Sequence, residues 1–126
     1  MYEEFEEWLD SLSLDDQPEN VIAYNFNIYD GEENTYDIQL IGSDQFDEDD
    51  PDWACSEVYS SEEDVCYIEI SGELENWEKA QKIFAEYVRR YLELGKYSDL
   101  LKNAKAVGIG FVDGDIELVY MNGEVL

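Results

Sequence analysis

The sequence predicts an α+β fold: a single domain over residues 1–126, with a mostly antiparallel sheet of about five to six strands packed on one side by a long helix and an N-terminal helix. Three observations predict this class. Two segments carry apolar residues at helical spacing, several others alternate apolar and polar residues, and two turns rich in Asp and Gly join alternating segments into hairpins. Because 44% of the residues are hydrophobic, the chain can form a core despite its many acids.

The first third of the chain predicts one helix followed by a hairpin. A helix over residues 2–14 is indicated by apolar residues at helical spacing, and Pro18 closes it. Period-two alternation predicts strands over residues 22–28 and 35–40, joined by a turn over residues 30–34. The apolar residues of the helix are Phe5, Trp8, Leu9 and Leu12.

The middle of the chain predicts a loop, two short strands and the main helix. Residues 43–52 read SDQFDEDDPD, whose charge density and proline oppose regular structure. A short third strand is predicted from Trp53, Cys55 and Val58, and a further strand over residues 65–70.

Helical spacing then predicts a helix over residues 74–94, ended by Gly95, with a short helical turn over residues 98–103.

The last segment predicts a second hairpin. Strands over residues 106–112 and 116–121 flank a turn at Asp113 and Gly114. Gly108 and Gly110 lie on one face of the first of these strands, which predicts either a bulge or a close approach by the long helix.

The acidic residues are concentrated in one part of the chain. None of the first 78 residues is Lys or Arg, whereas 26 of them are Asp or Glu. All seven basic residues follow, beside seven acids, so the net charge of −26 belongs to the first part. Such a field attracts cations, and it disfavours nucleic acid and anionic membranes as direct ligands. The charge therefore predicts a strongly basic protein as the partner.

The residue types exclude several kinds of chemistry. The chain has no histidine, which removes every nucleophile arrangement that needs an imidazole base. A calcium loop starting at Asp47 would place Pro51 at a ligand position and Asp52 where a glycine belongs. The pair Gly108 and Gly110 lacks the third glycine of a dinucleotide-binding turn. We therefore expect a protein that is not an enzyme and that holds no cofactor and no metal.

Cysteine usage and hydropathy predict a cytoplasmic protein. Cys55 and Cys66 are too few for a disulfide framework, and the favoured interpretation is two buried thiols in a reducing cytosol. The opening segment has no basic region followed by an apolar stretch, as a secretory signal would, and no apolar run has the length of a membrane span.

The predicted contact surface combines acids with aromatic side chains. The aromatic residues flank or separate two acidic turns, an arrangement that suits buried anchors ringed by charge at a protein interface. Taken separately, each aromatic residue, Trp53 included, is favoured to pack in the core, and a plain solvated loop is the alternative for the acids. The candidate residues are Asp44, Phe46, Asp47, Glu48, Asp49, Asp50, Asp52, Trp53, Glu57, Tyr59, Glu62, Glu63 and Asp64.

A small, extremely acidic domain without catalytic residues resembles bacterial immunity proteins of the polymorphic-toxin type. The closing segment AVGIGFVDGDIELVY and the earlier run from NVIAYNFNIYDGEENTYDIQLIGSD through WACSEV are similar to such proteins, over about half of the chain. The resemblance implies a cytoplasmic inhibitor that covers the active or nucleic-acid-binding surface of a cognate basic toxin, commonly a nuclease.

Two other functions remain open at this point. A phage-type DNA mimic would imitate the phosphates of a duplex and inhibit a restriction, CRISPR or other DNA-binding protein, which requires acids in two extended rows. An acidic chaperone would bind several basic proteins without strict selectivity.

Overall fold

The structure is a computed structural model of the 126-residue chain. It describes residues 2–12, 14, 18, 20–31, 35–61, 64–69, 77–112 and 114–126. Several predicted features lie outside these residues: the acids Glu62 and Glu63, most of the first turn, Asp113 of the second, and the main helix before residue 77.

The described residues form three α-helices and seven strands. The helices are α1 (Tyr2–Ser11), α2 (Trp77–Leu94) and α3 (Ser98–Lys102). The strands are β1 (Ala23–Asp30), β2 (Thr35–Ser43), β3 (Glu57–Ser60), β4 (Cys66–Glu69), β5 (Ala106–Phe111), β6 (Glu117–Met121) and β7 (Glu124–Val125). A short 3₁₀ helix, Pro51–Cys55, precedes β3.

The strands make one sheet in the order β3-β2-β1-β5-β6-β7, and β4 also pairs with β2. β1 runs parallel to β5, and every other pairing between described strands is antiparallel. β3 pairs with the end of β2 and β4 with its beginning, so the two short strands share one edge. The predicted α+β class with a mostly antiparallel sheet is confirmed, with seven strands where about five to six were expected.

The main core lies between the helices and one face of the sheet, as predicted. Phe5 of α1, Phe84 of α2 and Phe26 of β1 are fully buried there. The Tyr91 hydroxyl of α2 donates a 2.8 Å hydrogen bond to Asp10 Oδ1 of α1, which ties the two helices together. Period-two alternation leaves the intervening strand residues on the opposite side. We call the helix-covered side the first face and the opposite side the second face.

Three predicted elements differ from those observed by three residues or in type. β2 continues to Ser43, beyond the predicted end at residue 40. α1 ends at Ser11, earlier than the predicted residue 14. Trp53 and Cys55 lie on the 3₁₀ helix and not on a strand. The reason is local, because Asp50 Oδ1 accepts a hydrogen bond from the backbone N–H of Asp52 over 3.1 Å and Pro51 occupies the first helical position. The third strand therefore begins only at Glu57.

The two glycines of β5 have the predicted bulge, but the helix is not their close neighbour. The pairing of β5 with β6 shifts between Val107 and Gly108. A Cβ added at Gly110 would lie 2.6 Å from the backbone oxygen of Asp115, and one added at Gly108 would lie 2.6 Å from Cγ2 of Ile116. The hairpin segment before β6 therefore covers these glycines on the second face.

Both cysteines are free thiols. Cys66 is buried, as predicted, but Cys55 is exposed, which corrects the expectation of two buried thiols. The difference follows from the 3₁₀ helix, which directs Trp53 inward and leaves Cys55 at the surface.

Candidate protein-binding surface

The predicted contact surface centres on residues 44–52, which we call the acidic loop. Its two ends are held together by hydrogen bonds around one buried side chain. The Ser43 hydroxyl donates to the carbonyl oxygen of Trp53 over 2.6 Å and accepts from the backbone N–H of Gln45 over 3.1 Å. The backbone N–H of Asp44 donates to the carbonyl oxygen of Ser56 over 3.3 Å. The loop is therefore closed at its base.

Aspartates shape the loop from within. Asp47 Oδ1 accepts a hydrogen bond from the backbone N–H of Asp49 over 2.9 Å, and the carbonyl oxygen of Asp47 accepts from the N–H of Asp50 over 3.2 Å. Asp50 then caps the 3₁₀ helix, as described above. Short aspartate side chains stabilise such turns by bonding to backbone two residues onward. The residues that carry the charge thus also fix the path of the chain.

Trp53 anchors the acidic loop on the second face of the sheet. Only 4% of Trp53 is exposed, and it packs against Ala23 of β1 and Ala106 of β5 in a second, smaller apolar cluster. The ring of Phe46 meets the Trp53 ring edge-on, with centroids 5.3 Å apart. Small alanines on both strands make room for the indole. The acidic loop therefore lies across the sheet at this end.

The carboxylates of the acidic loop point to solvent without basic partners. Five of the six acids are exposed, and the sixth, Asp44, is half-buried and accepts a 2.7 Å hydrogen bond from the Ser56 hydroxyl. In the part of the chain that the structure describes, no Lys or Arg pairs with any of them. The exposed five are Asp47, Glu48, Asp49, Asp50 and Asp52.

The ion pairs that the structure does show lie elsewhere. Arg89 contacts Glu86 at 2.8 Å and Glu117 at 3.0 Å, and Lys102 lies 4.0 Å from Asp99. These bases thus pair with acids of the C-terminal part of the chain. The field of the acidic loop is left uncompensated, which favours a cationic surface as its complement.

Two grooves adjoin the acidic loop. The first has a volume of about 220 Å³ and the second about 400 Å³. Trp53 and Asp47 line both. The first groove is smaller than the usual pocket for a drug-sized ligand, and the second lies within the range of such pockets. The acids that line both favour a basic group. The first groove is lined by Asp47, Glu48, Trp53, Asp115, Ile116 and Leu118, and the second by Gln45, Phe46, Asp47, Asp50, Asp52 and Trp53.

The other predicted contact residues lie outside the acidic loop, some beside it and some on the first face of the sheet. Glu57 is exposed and pairs with Ser43 at the base of the loop. Tyr59 is half-buried and packs against the main core, on the first face. Asp64 is exposed, and its carbonyl oxygen accepts a 2.9 Å hydrogen bond from Trp8 Nε1 of α1. Glu62 and Glu63 lie outside the described residues.

Sequence reasoning missed the other wall of the first groove, which Asp115, Ile116 and Leu118 form. These residues come more than 60 positions after the acidic loop, and no local pattern signals the contact. The described residues contain no group of three or more His, Cys, Asp or Glu arranged to hold a metal ion. Among the same residues, no helix is both long and apolar enough to cross a membrane.

Comparison of the chain with protein-family models, with curated proteins and with solved structures finds no match in any of the three.

Proposed function

We propose that this chain is an acidic inhibitor of the immunity type, which acts in the cytoplasm by binding a cognate basic toxin such as a nuclease. It covers the active or nucleic-acid-binding surface of that toxin, and it contributes binding without catalysis. The acidic loop is the centre of the contact, and the resemblance to immunity proteins supplies the class of partner.

One observation carries the proposal: a loop dense in exposed, unpaired carboxylates is held in a fixed shape. Its base is closed by the Ser43 hydrogen bonds, and Trp53 fastens it to the sheet. A preordered surface loses less conformational entropy when it binds, so more of the electrostatic attraction remains as affinity.

The proposal also explains why the charge is not spread over the chain. Long-range attraction between opposite fields accelerates encounter, and close pairs of carboxylates with Lys or Arg become strongly coupled once water is removed. Added salt weakens the long-range attraction, whereas pairs from which water has been removed are screened much less. Association should therefore slow as salt rises, while the complex, once formed, persists at high salt.

A capture experiment tests the proposed function. The tagged chain is incubated at low salt with lysate of the source organism, and retained proteins are released by stepwise salt and identified by mass spectrometry. We expect one dominant basic protein that resists high salt, and we expect an equimolar amount of the chain to block the activity of that protein. If that captured protein is a toxin, the result supports the immunity function.

Other outcomes of the same experiment contradict it. If the single captured protein is a restriction, CRISPR or other DNA-binding enzyme, the result contradicts the immunity function and favours DNA mimicry. A broad set of basic proteins leaving together at modest salt would indicate an acidic chaperone or a nonspecific polyanion. A single captured protein whose activity is unaffected by the chain would also contradict inhibition.

A further inference from the structure

The acidic loop covers only one end of the second face, and a row of three paired residues lies toward the other end. Tyr29 of β1 pairs directly with Asp37 of β2, and Asp37 pairs directly with Tyr67 of β4. Their neighbours Ile28 and Ile38 are buried in the main core, so alternation places the row on the second face. Directly opposed residues have Cβ atoms about 4.5–5.5 Å apart, so the three side chains are adjacent.

The two tyrosines of the row are exposed, and Asp37 between them is half-buried. Tyr67 is 59% exposed and Tyr29 is 38% exposed, although both rings are large and mainly apolar. The Tyr29 hydroxyl donates a hydrogen bond to Gln39 Oε1 over 3.2 Å, which orients the ring along the sheet. Within the described residues, no side chain donates a hydrogen bond to Asp37 and no base pairs with it.

The chemistry of the row selects one type of side chain. A guanidinium group stacks on aromatic faces and pairs with a carboxylate through two parallel hydrogen bonds. A carboxylate between two tyrosine rings offers both contacts at once. The chain already contains a related arrangement: the Arg90 guanidinium carbon lies 4.3 Å from the centroid of the Tyr2 ring, and the Tyr2 hydroxyl donates to Glu6 Oε2 over 3.3 Å.

We propose that the row formed by Tyr29, Asp37 and Tyr67 receives an arginine side chain of the basic protein that the acidic loop attracts. This inference rests on the proposed function and deepens it, because it names the residue type that the partner presents. Charge complementarity supports the occupant, since Asp37 belongs to the 78-residue stretch that contains no Lys or Arg.

One partner can reach both the row and the acidic loop. Ala23, beneath Trp53, and Tyr29, in the row, are six residues apart on β1, which corresponds to about 20 Å along a strand. A standard protein interface buries about 800 Å² of each partner, a patch roughly 30 Å across. The two positions thus fit within one interface: the acidic loop supplies long-range attraction, and the row supplies a specific contact.

Two model peptides test the row without the natural partner. They have equal length and charge, and one alternates Gly with Arg while the other alternates Gly with Lys. Dissociation constants are measured by calorimetry at low salt. We expect the wild-type chain to bind the Arg peptide about two- to fivefold more tightly than the Lys peptide, as an exposed cation–π contact allows.

Variants assign that preference to the row. Tyr67→Leu keeps apolar area but removes the ring, and Asp37→Asn removes the carboxylate; each should abolish the preference. Tyr67→Phe keeps the ring and should retain it. Equal affinity of the wild type for both peptides, or a preference that survives Tyr67→Leu, would overturn the inference. Equal melting temperatures of the variants show that the fold is intact.

The peptide result is separate from the capture experiment. Failure to capture one dominant basic protein would contradict the proposed function while leaving an Arg preference measurable. Loss of the Arg preference would remove the row from the interface while leaving capture through the acidic loop intact.

Discussion

Individual side chains respond to their surroundings in ways that can be measured, and the two cysteines differ most clearly. Burial, together with the smaller effect of the nearby acids Glu4 and Asp37, raises the pKa of the Cys66 thiol to about 12. The reactive species is the thiolate, so Cys66 stays protonated and protected in the folded chain at ordinary pH. Cys55, on the 3₁₀ helix, is exposed.

We therefore predict that a thiol reagent modifies one cysteine quickly at about pH 8 and the second only when the chain unfolds. The measurement is the number of cysteines that the reagent has modified as a function of time, with and without denaturant. Cys55→Ser should remove the fast phase alone. Rapid modification of two thiols in the folded wild type would contradict the burial of Cys66.

Gly110 tests the close approach on the second face. A Cβ there would lie 2.6 Å from the backbone oxygen of Asp115, and backbone cannot move aside as a flexible side chain can. Gly110→Ala should lower the free energy of unfolding by about 1–3 kcal/mol, as overpacking does. At the control position Gly114 the nearest atom would be 3.7 Å away, so Gly114→Ala should change stability by less than about 0.5 kcal/mol. Denaturant titrations of both variants provide the comparison.

At the scale of elements, the contribution of Trp53 decides whether the acidic loop is a fixed surface. Trp53→Ala removes the centre of the second apolar cluster and should lower the free energy of unfolding by about 3 kcal/mol. Loss of the anchor should also raise the amide hydrogen exchange of residues 44–52 relative to that of α2. Exchange that is unchanged in the acidic loop would mean that the hydrogen bonds at its base suffice to hold it.

Local patterns predicted most of the elements because helices and alternating strands leave a periodic signal. The helices and both hairpins were found in this way. The alternation of Trp53 with Cys55 predicts a strand, whereas the capping side chain of Asp50 favours a 3₁₀ turn. β7 was missed although Asn122 and Gly123 both have positive φ, as a two-residue hairpin turn requires, because the strand itself has only two residues.

Contacts between distant segments left no such signal. The parallel pairing of β1 with β5 joins residues about 80 positions apart, and no local periodicity encodes which strands become neighbours. The same holds for the groove wall at residues 115–118 and for the row across β1, β2 and β4. The sequence predicts the acidic loop as a charged surface and favours core packing for Trp53, which its burial confirms. No local pattern indicates that Trp53 packs against Ala23 and Ala106.

On the scale of the whole molecule, the net charge of −26 should make stability depend on salt. Screening lengths fall to about 10 Å at 0.1 M salt, so repulsion among the exposed acids weakens. We predict that sodium chloride raises the melting temperature by about 5 °C, which corresponds to roughly 1 kcal/mol for a domain of this size. Scanning calorimetry across a salt series measures it. A flat or falling curve would show that the acids are paired or too dispersed to repel.

The central claim is that binding depends on where the charge lies and not merely on how much there is. Two variants with equal net charge separate these possibilities. In the loop variant Asn replaces Asp, because an Asn side chain can still form the turns and the cap without the charge. This variant carries Asp47→Asn, Glu48→Gln, Asp49→Asn and Asp50→Asn, and the helix variant carries Glu4→Gln, Glu7→Gln, Glu78→Gln and Glu93→Gln on α1 and α2.

The most direct measurement is the affinity of the wild type and both variants for the captured basic protein across a salt series. The account predicts that the loop variant binds about tenfold or more weakly with a shallower salt dependence, while the helix variant stays within about twofold of the wild type. Equal weakening of both variants, or a loop variant that binds as the wild type does, would contradict it.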